Sequence, residues 1–171
     1  MKVKDYIQES YSKVELFNII CGNLNNVSLK LVINQLDYIT EELKEAVEAT
    51  DETELLDACV DLFVTVAGLM QKLEAAGFNV AEAMKRVDAN NLDKFPLSRK
   101  VSFYRVGRDE VDFADEAPFE AIPANCTTSF IGDRVVFKNY SGKVMKPKNF
   151  VPVDLTGLAA EGFLSGFKGG V

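Results

Sequence analysis

Five carboxylates in two short stretches are the residues of this chain best suited to chemistry. Glu42 and Glu45 are three residues apart and Glu41 and Glu45 are four apart, so a helix places them on one face. Asp57 and Asp61, four apart, share a face of the next predicted helix. If two antiparallel helices oppose these faces, the like charges repel one another unless a cation neutralises them. Oxygen ligands suit Mg²⁺ or Mn²⁺, and Mg²⁺ held by carboxylates commonly faces substrate phosphates.

The composition of the chain excludes several kinds of chemistry. Its 171 residues contain no histidine, which excludes Ser-His-Asp and Cys-His catalysis and histidine-ligated zinc. The three cysteines, Cys21, Cys59 and Cys126, lie far apart and indicate reduced thiols in a cytoplasmic protein. A net charge of −7 argues against nucleic acid as a partner. The N-terminus is not of signal-peptide type and no apolar run has membrane length, so we expect no membrane partner.

Four helices are predicted within residues 1–97. The first covers residues 3–21, the second covers residues 28–49, and the third begins after Asp51 and stops at Gly77. A capping box of Asn79 and Glu82 opens a fourth helix, whose apolar residues are Val80, Ala83, Met84, Val87 and Leu92. Asp51 is the predicted N-cap of the third helix, as Ser28 is of the second. The third helix is apolar on almost every side, so we expect it to be buried on several sides. Its apolar residues are Leu55, Leu56, Cys59, Leu62, Phe63, Val66, Leu69, Met70 and Leu73.

Short strands and turns are predicted after Pro96, where the composition changes. Residues 101–106 alternate and indicate a strand, whereas the acidic residues 109–123 indicate a loop. Residues 134–138 and 143–145 flank a turn and predict a β-hairpin. The predicted fold is therefore mainly α. It comprises a four-helix bundle core (residues 1–97), a small strand and hairpin extension (residues 98–155) and a flexible glycine-rich tail (residues 156–171).

Three motifs, in order along the chain, resemble one enzyme family. They are Glu41-Glu42-x-x-Glu45, then Asp57-x-x-x-Asp61-Leu62-Phe63, then Asn90-Asn91-Leu92-Asp93-Lys94-Phe95. Together they resemble the all-α nucleoside triphosphate pyrophosphohydrolases of the MazG type and the related phosphoribosyl-ATP pyrophosphohydrolases. The stretch from Gly142 to Leu155 is similar to the ending of the short, phage-type branch. The resemblance covers residues 18–97 and 135–155.

The resemblance implies an activity and a role for each matching residue. Members of the family cleave a nucleoside triphosphate between the α- and β-phosphates with Mg²⁺, and Mn²⁺ is a possible substitute. A carboxylate that is not fully committed to the metal takes a proton from the attacking water. Members form dimers or dimers of dimers. The implied metal ligands are Glu42, Glu45, Asp57 and Asp61, and the implied base is Glu41 or Glu45. The implied substrate-binding residues are Asn91 and Lys94. Lys143 and Lys146 are implied to add positive charge near the site.

One position departs from the usual family pattern. The family has an acid three residues before the second aspartate, whereas this chain has Ala58 there and Asp57 one residue earlier. Spacings of three and four face the same way on a helix, so the site is expected to persist. The different spacing leaves open how many metal ions the site binds and how tightly it binds them.

Simpler interpretations remain for each motif. The glutamates fit a solvated helix face, Asn91 and Lys94 fit a frayed helix end, and Lys143 and Lys146 fit lysines that protect a strand edge. Two other functional classes are a nucleotide- or protein-binding regulatory module of the same fold and a structural helical-bundle subunit. No pattern in the sequence selects among dUTP, dCTP, a purine triphosphate or an alarmone as substrate.

A homo-oligomer, either a dimer or a tetramer, is expected because the apolar helix surface is too large for four helices to cover. Phe17, Ile19, Ile20 and Leu36 are expected to lie near the uncovered part. The alternative is that residues 98–171 fold back over this surface within one chain.

Overall fold

The structure, a computed structural model, describes residues 2–97, 103–106, 110–113, 127–139, 141–146 and 150–165. It is mainly helical, as predicted, with four helices and short antiparallel hairpins. The elements are α1 (Val3–Ile20), α2 (Leu29–Glu48), α3 (Glu52–Ala75), α4 (Val80–Leu92), β1 (Phe103–Val106), β2 (Glu110–Phe113), β3 (Thr127–Ile131) and β4 (Arg134–Lys138). The chain divides into two compact units, one comprising Met1–Val80 with Thr156–Val171 and the other Ala81–Leu155.

The two N-caps expected from the sequence are confirmed. The Ser28 side chain accepts a hydrogen bond from the Leu31 amide at 3.4 Å and begins α2. The Asp51 carboxylate accepts from the amides of Thr53 and Glu54 at 2.8 and 2.9 Å and begins α3. These bonds satisfy amides that have no partner within the helix. Because only three residues separate α2 from α3, the two helices are joined by a tight turn.

Contacts between α2 and α3 show that the two helices run antiparallel. Gln35, early in α2, donates to the Thr65 carbonyl oxygen in the second half of α3 at 2.8 Å. Glu42, late in α2, lies within electrostatic range of Asp57 and Asp61 in the first half of α3. Helix α1 also packs on α3. Antiparallel packing is the arrangement that opposes the two acidic faces.

A buried polar layer joins α1, α2 and α3. Asn18, Gln35, Gln71 and Lys72 are each at most 8% exposed, although all are polar or charged. Asn18 Nδ2 donates to Gln71 Oε1 at 3.0 Å, and Lys72 Nζ donates to Gln35 Oε1 at 2.7 Å and to Asn18 Oδ1 at 3.2 Å. Gly68 makes room for the layer, because a Cβ at this position would lie 3.4 Å from both Asn18 Nδ2 and Gln35 Nε2.

The first half of α3 is not buried, which corrects the expectation of a helix covered on several sides. Leu55, Leu56 and Val60 are 46%, 66% and 51% exposed. The residues of α3 that face its neighbours are instead small or polar: Ala58, Ala67, Gly68, Gln71 and Lys72. Small residues allow close helix packing, whereas the large apolar side chains of the first half, Leu55, Leu56 and Val60 among them, are exposed. The four residues expected near an uncovered surface, Phe17, Ile19, Ile20 and Leu36, are all exposed.

The described part of the glycine-rich tail is folded, contrary to the expectation of a flexible segment. Residues 156–165 form turns. The Asn79 amide donates to the Leu158 carbonyl oxygen at 2.8 Å, and the rings of Phe78 and Phe163 meet edge to face with centroids 5.3 Å apart. An aromatic contact and a backbone hydrogen bond fix the segment on the residues that link α3 to α4. Residues 166–171 lie outside the described residues.

The first β-hairpin confirms the predicted strand and corrects part of the predicted loop. β1 confirms the expectation for residues 103–106, while residues 101 and 102 lie outside the described residues. β2 pairs with β1 in antiparallel register, with Tyr104 opposite Asp112. Residues 110–113 are thus a strand and not a loop, because their polar and apolar residues alternate within an acidic stretch. Residues 109 and 114–123 lie outside the described residues.

The partner of β4 also differs from the predicted one. β4 pairs with β3 across a Gly132-Asp133 turn, with Ser129 opposite Val136. The predicted pairing with residues 143–145 is reduced to a single bridge between Lys138 and Val144. Val135 and Phe137 of β4 are fully buried, so this strand is the centre of its small core.

In the part of the chain that the structure describes, no helix is long and apolar enough to cross a membrane.

Candidate metal and phosphate sites

The structure brings the five predicted carboxylates together. α2 carries Glu41, Glu42 and Glu45 in its last turns, and α3 carries Asp57 and Asp61 in its first half. The tight turn between the helices and their antiparallel packing place these two segments side by side. We call the five residues the acidic cluster.

Glu42 is the residue of the acidic cluster whose carboxyl group is affected by the charges of the other four. Partial burial raises the pKa of the Glu42 carboxyl above its usual range, and the negative charges of Glu45, Asp61, Glu41 and Asp57 raise it further, in that order. The other four carboxylates are exposed. Negative charges on both helices therefore act on one half-buried carboxylate.

No cationic side chain neutralises the cluster among the described residues. The nearby Lys44 lies 3.9 Å from Glu48, and no described lysine or arginine lies within salt-bridge distance of any of the five carboxylates. An uncompensated group of carboxylates is costly to assemble, and a hard divalent cation reduces that cost. The donors are all carboxylate oxygens, so the residues fit Mg²⁺ or Mn²⁺ in chemistry. Within the described ranges, no three acidic, cysteine or histidine side chains already have the spacing of metal ligands.

The departure at Ala58 has a structural explanation. Ala58 is 5% exposed and faces the helix interface, whereas Asp57 is exposed. An acid at position 58 would be buried, and a buried carboxylate is costly. Asp57 and Asp61 share the adjacent face of α3, and the charges of both reach Glu42.

Asn91 and Lys94 lie next to each other in the second unit. Lys94 Nζ donates to Asn91 Oδ1 at 2.6 Å across the end of α4. The hydrogen bond orients both an amide and an ammonium group, which are the two chemistries that the resemblance assigns to phosphate or sugar binding. Lys94 has no carboxylate within salt-bridge distance among the described residues.

Lys146 and Lys94 share an aromatic partner that sequence reasoning missed. Their ammonium nitrogens lie 4.8 and 5.9 Å from the centroid of the Phe150 ring. The negative face of an aromatic ring attracts cations, so Phe150 holds two like charges near one another. Lys143 lies elsewhere in the same turn region and is exposed.

A cleft of about 780 Å³ lies in the second unit and was also missed. We call it the α4 cleft. One wall is the end of α4, another is Arg134 of β4, and a third is the segment 150–154. Two hydrogen bonds join this segment to α4. Asn90 Nδ2 donates to the Val151 carbonyl oxygen at 2.7 Å, and Arg86 donates to the Asp154 carbonyl oxygen at 3.1 Å. Contacts across more than sixty residues of sequence leave no local pattern from which to predict a cleft.

Comparison with known proteins adds no family assignment to this geometry. No family model, no curated protein sequence and no solved structure matches the chain. The function proposed below therefore depends on the residues, on their arrangement and on the motif resemblance described above.

Proposed function

We propose that this protein is a Mg²⁺-dependent nucleoside triphosphate pyrophosphohydrolase with a MazG-like helical bundle. The proposed reaction converts a nucleoside or deoxynucleoside triphosphate and water into the monophosphate and pyrophosphate. The observation that carries the proposal is the acidic cluster, in which the charges of four carboxylates from two helices act on the half-buried Glu42 and no described cationic side chain lies within salt-bridge distance. A divalent cation would offset the repulsion within such a cluster.

The acidic cluster supplies two functions in this proposal. Glu42, Glu45, Asp57 and Asp61 would hold Mg²⁺, which when bound offsets negative charge that builds up on the phosphates. Glu41 or Glu45, both exposed, would accept a proton from the attacking water. A carboxylate suits this role because the chain has no histidine. Bond cleavage between the α- and β-phosphates then releases pyrophosphate.

Substrate binding requires positive charge that the acidic cluster itself lacks. Asn91 and Lys94 are the proposed phosphate- or sugar-binding pair, with their mutual hydrogen bond fixing both side chains. Lys143 and Lys146 are proposed to add charge for the triphosphate.

The exposed apolar surface of the first unit supports a homodimer or homotetramer. Helices α1 and α3 expose Phe17, Ile20, Leu56 and Val60, all more than half exposed. Apolar surface of this kind marks an interface, and a second copy would bury it in a larger bundle.

The experiment is incubation of the protein with dUTP, dCTP, dATP, dGTP, their ribonucleotide counterparts and an alarmone, with Mg²⁺ or with EDTA. Ion-exchange chromatography separates monophosphate, diphosphate, pyrophosphate and orthophosphate. We expect monophosphate and pyrophosphate from at least one substrate with Mg²⁺ and none with EDTA. Orthophosphate release would contradict the reaction type, and binding without hydrolysis would favour the regulatory module instead.

A further inference from the structure

A further concave surface lies in the second unit beside the α4 cleft, and we propose that it binds a medium-chain fatty acid. We call it the β4 groove. It has a volume of about 380 Å³ and lies between the end of α4, the β3–β4 hairpin and Val144. Its described lining comprises five apolar residues and two cationic ones: Leu92, Phe95, Ile131, Val136 and Val144, with Arg134 and Lys138. Binding here is a separate property from the hydrolysis proposed above.

The alternation of β4 explains why the groove combines apolar and cationic side chains. Successive residues of a strand point to opposite faces, so Arg134, Val136 and Lys138 share one face of β4. Val135 and Phe137 are on the other face and form the small core of the unit. The face away from a core is commonly polar and solvated, yet Val136 at its centre is only 7% exposed. The floor of the groove is therefore an apolar side chain between two cationic residues.

Backbone hydrogen bonds hold both sides of the β4 groove in place. On one side the Val135 amide donates to the Pro96 carbonyl oxygen at 2.9 Å, which fixes β4 against the residues that follow α4. On the other side the Met145 amide donates to the Phe137 carbonyl oxygen at 2.9 Å, which places Val144 next to the strand. A groove whose walls are already fixed loses little conformational freedom when a ligand binds.

Two large apolar side chains of the groove are exposed to solvent. Leu92 is 57% exposed and Ile131 is 66% exposed. Ile131 lies opposite Arg134 in the hairpin, so it is on the same face as Val136. An alkyl chain lying over Val136 would cover both exposed side chains. Removal of this apolar surface from water is the main contribution that we expect to the affinity.

Lys138 supplies the charge that the ligand must complement. It is exposed, and no described carboxylate lies within salt-bridge distance of its ammonium group. Arg134 is already partly engaged, because it donates to the Phe95 carbonyl oxygen at 2.8 Å and lies 4.0 Å from Asp133. None of the described residues that line the groove is acidic. An apolar groove with a cationic edge therefore fits a ligand with an anionic end and an apolar body.

The size of the groove favours a free fatty acid over a membrane lipid. A volume of about 380 Å³ is near the lower end of the range of about 300–1,000 Å³ that is usual for small-molecule sites. Such a volume suits one short alkyl chain and not the two long chains of a phospholipid. The net charge of −7 also opposes association with an anionic membrane surface.

The test measures binding of butyrate, hexanoate, octanoate and decanoate by titration calorimetry in EDTA. We expect the Kd to fall about fourfold for each added methylene group until the chain is longer than the groove. Octan-1-ol, which has the same chain as octanoate without its charge, should bind about three- to fivefold more weakly. Lys138→Gln should weaken octanoate binding by the same factor and leave octan-1-ol binding unchanged, whereas Lys138→Arg should retain octanoate binding. Leu92→Ser should weaken the binding of both ligands.

Two variants of α4 serve as matched controls. Lys85→Gln alters an exposed lysine that pairs with Glu82, and Met84→Ser alters a 54% exposed apolar residue; neither residue lines the groove. Both variants should bind octanoate as the unmodified protein does, and circular dichroism establishes that every variant is folded.

Three results would overturn the proposal. They are a Kd that does not depend on chain length, equal octanoate binding by the unmodified protein and Lys138→Gln, and binding to phosphatidylglycerol vesicles without binding to octanoate. Asp61→Ala should bind octanoate normally, so failure of the proposed hydrolysis is distinguishable from failure of the groove.

Discussion

The ammonium nitrogen of Lys72 donates to Gln35 Oε1 at 2.7 Å in the interior of the first unit, where Lys72 is 3% exposed. Its acceptors are amide oxygens, and no described carboxylate lies within salt-bridge distance of it. Burial of an ammonium group without a counter-charge is costly, and hydrogen bonds to Gln35 and Asn18 recover part of that cost. The polar layer also fixes how α1, α2 and α3 align, because a shift of one helix would leave its members without partners.

Lys72 should make the stability of the fold depend on alkaline pH. Burial lowers the pKa of Lys72 from its ordinary value of 10.5. Between the lowered pKa and 10.5 the unfolded chain binds more protons than the folded chain, so stability rises with pH in this window. Lys72→Met should remove this slope, which for one proton cannot exceed about 1.4 kcal/mol per pH unit.

Urea unfolding between pH 7 and pH 10 measures the slope from Lys72. Each free energy of unfolding is compared with that of Lys72→Met at the same pH. Lys30→Met is the control, because Lys30 is an exposed lysine of α2. If the difference between the protein and Lys72→Met is constant across the range, Lys72 is not titrating as a buried group.

Loss of one acid from the cluster should stop hydrolysis and relieve repulsion. Glu45→Ala or Asp61→Ala should lower kcat/KM by more than about 100-fold, since loss of a residue that only orients a metal ligand already costs about 10–100-fold. Without metal, the same variants should melt at or above the temperature of the unmodified protein, because a repelling charge is gone. Glu48→Ala is the control, as Glu48 pairs with Lys44 outside the cluster. Near-normal turnover by Asp61→Ala would show that the acids are not the site.

Lys94 and Asn91 should affect substrate binding while leaving the fold intact. Lys94→Ala removes an ammonium group and the 2.6 Å hydrogen bond that orients Asn91. We expect KM to rise by about tenfold for each variant, with a smaller loss in kcat. Because the two side chains are coupled, the double variant should lose less than the product of the single effects. An unchanged KM with every substrate would leave the pair with a structural role only.

The tail should contribute to stability through Phe163. Phe163→Ala removes the edge-to-face contact with Phe78 and should lower the free energy of unfolding by about 1–2 kcal/mol. Leu164→Ala, at a 62% exposed neighbour, should change it by less than about 0.5 kcal/mol. The Asn79 amide, which donates to the Leu158 carbonyl oxygen, should exchange with solvent faster in Phe163→Ala. Equal stability for both variants would show that the segment is flexible, as the sequence alone suggested.

Features set by local chemistry were predictable from the sequence, whereas features set by distant contacts were not. The Ser28 and Asp51 caps are specified by a residue and the next three, so they could be identified from the sequence. The acidic cluster required only helical spacing and a short connection. The burial of Lys72 could not be predicted, because a lysine in an apolar helix ordinarily extends its ammonium group to solvent. β3 was missed because Thr127, Thr128 and Ser129 are polar, and the turn signal at residues 139–142 was stronger than Gly132-Asp133.

The proposed oligomer can be tested on the apolar side chains that α1 and α3 expose. Leu56 and Val60, one turn apart on α3, are 66% and 51% exposed, and Phe17 and Ile20 of α1 are 61% and 75% exposed. Light scattering coupled to size exclusion at micromolar concentration should give two or four times 18.9 kDa. Leu56→Glu should shift the mass toward 18.9 kDa, because a buried charge at an interface is strongly unfavourable. Leu164→Glu is the control on an exposed apolar residue of the tail and should leave the mass unchanged. A mass of 18.9 kDa for the unmodified protein would refute the oligomer and leave the apolar surface without this explanation.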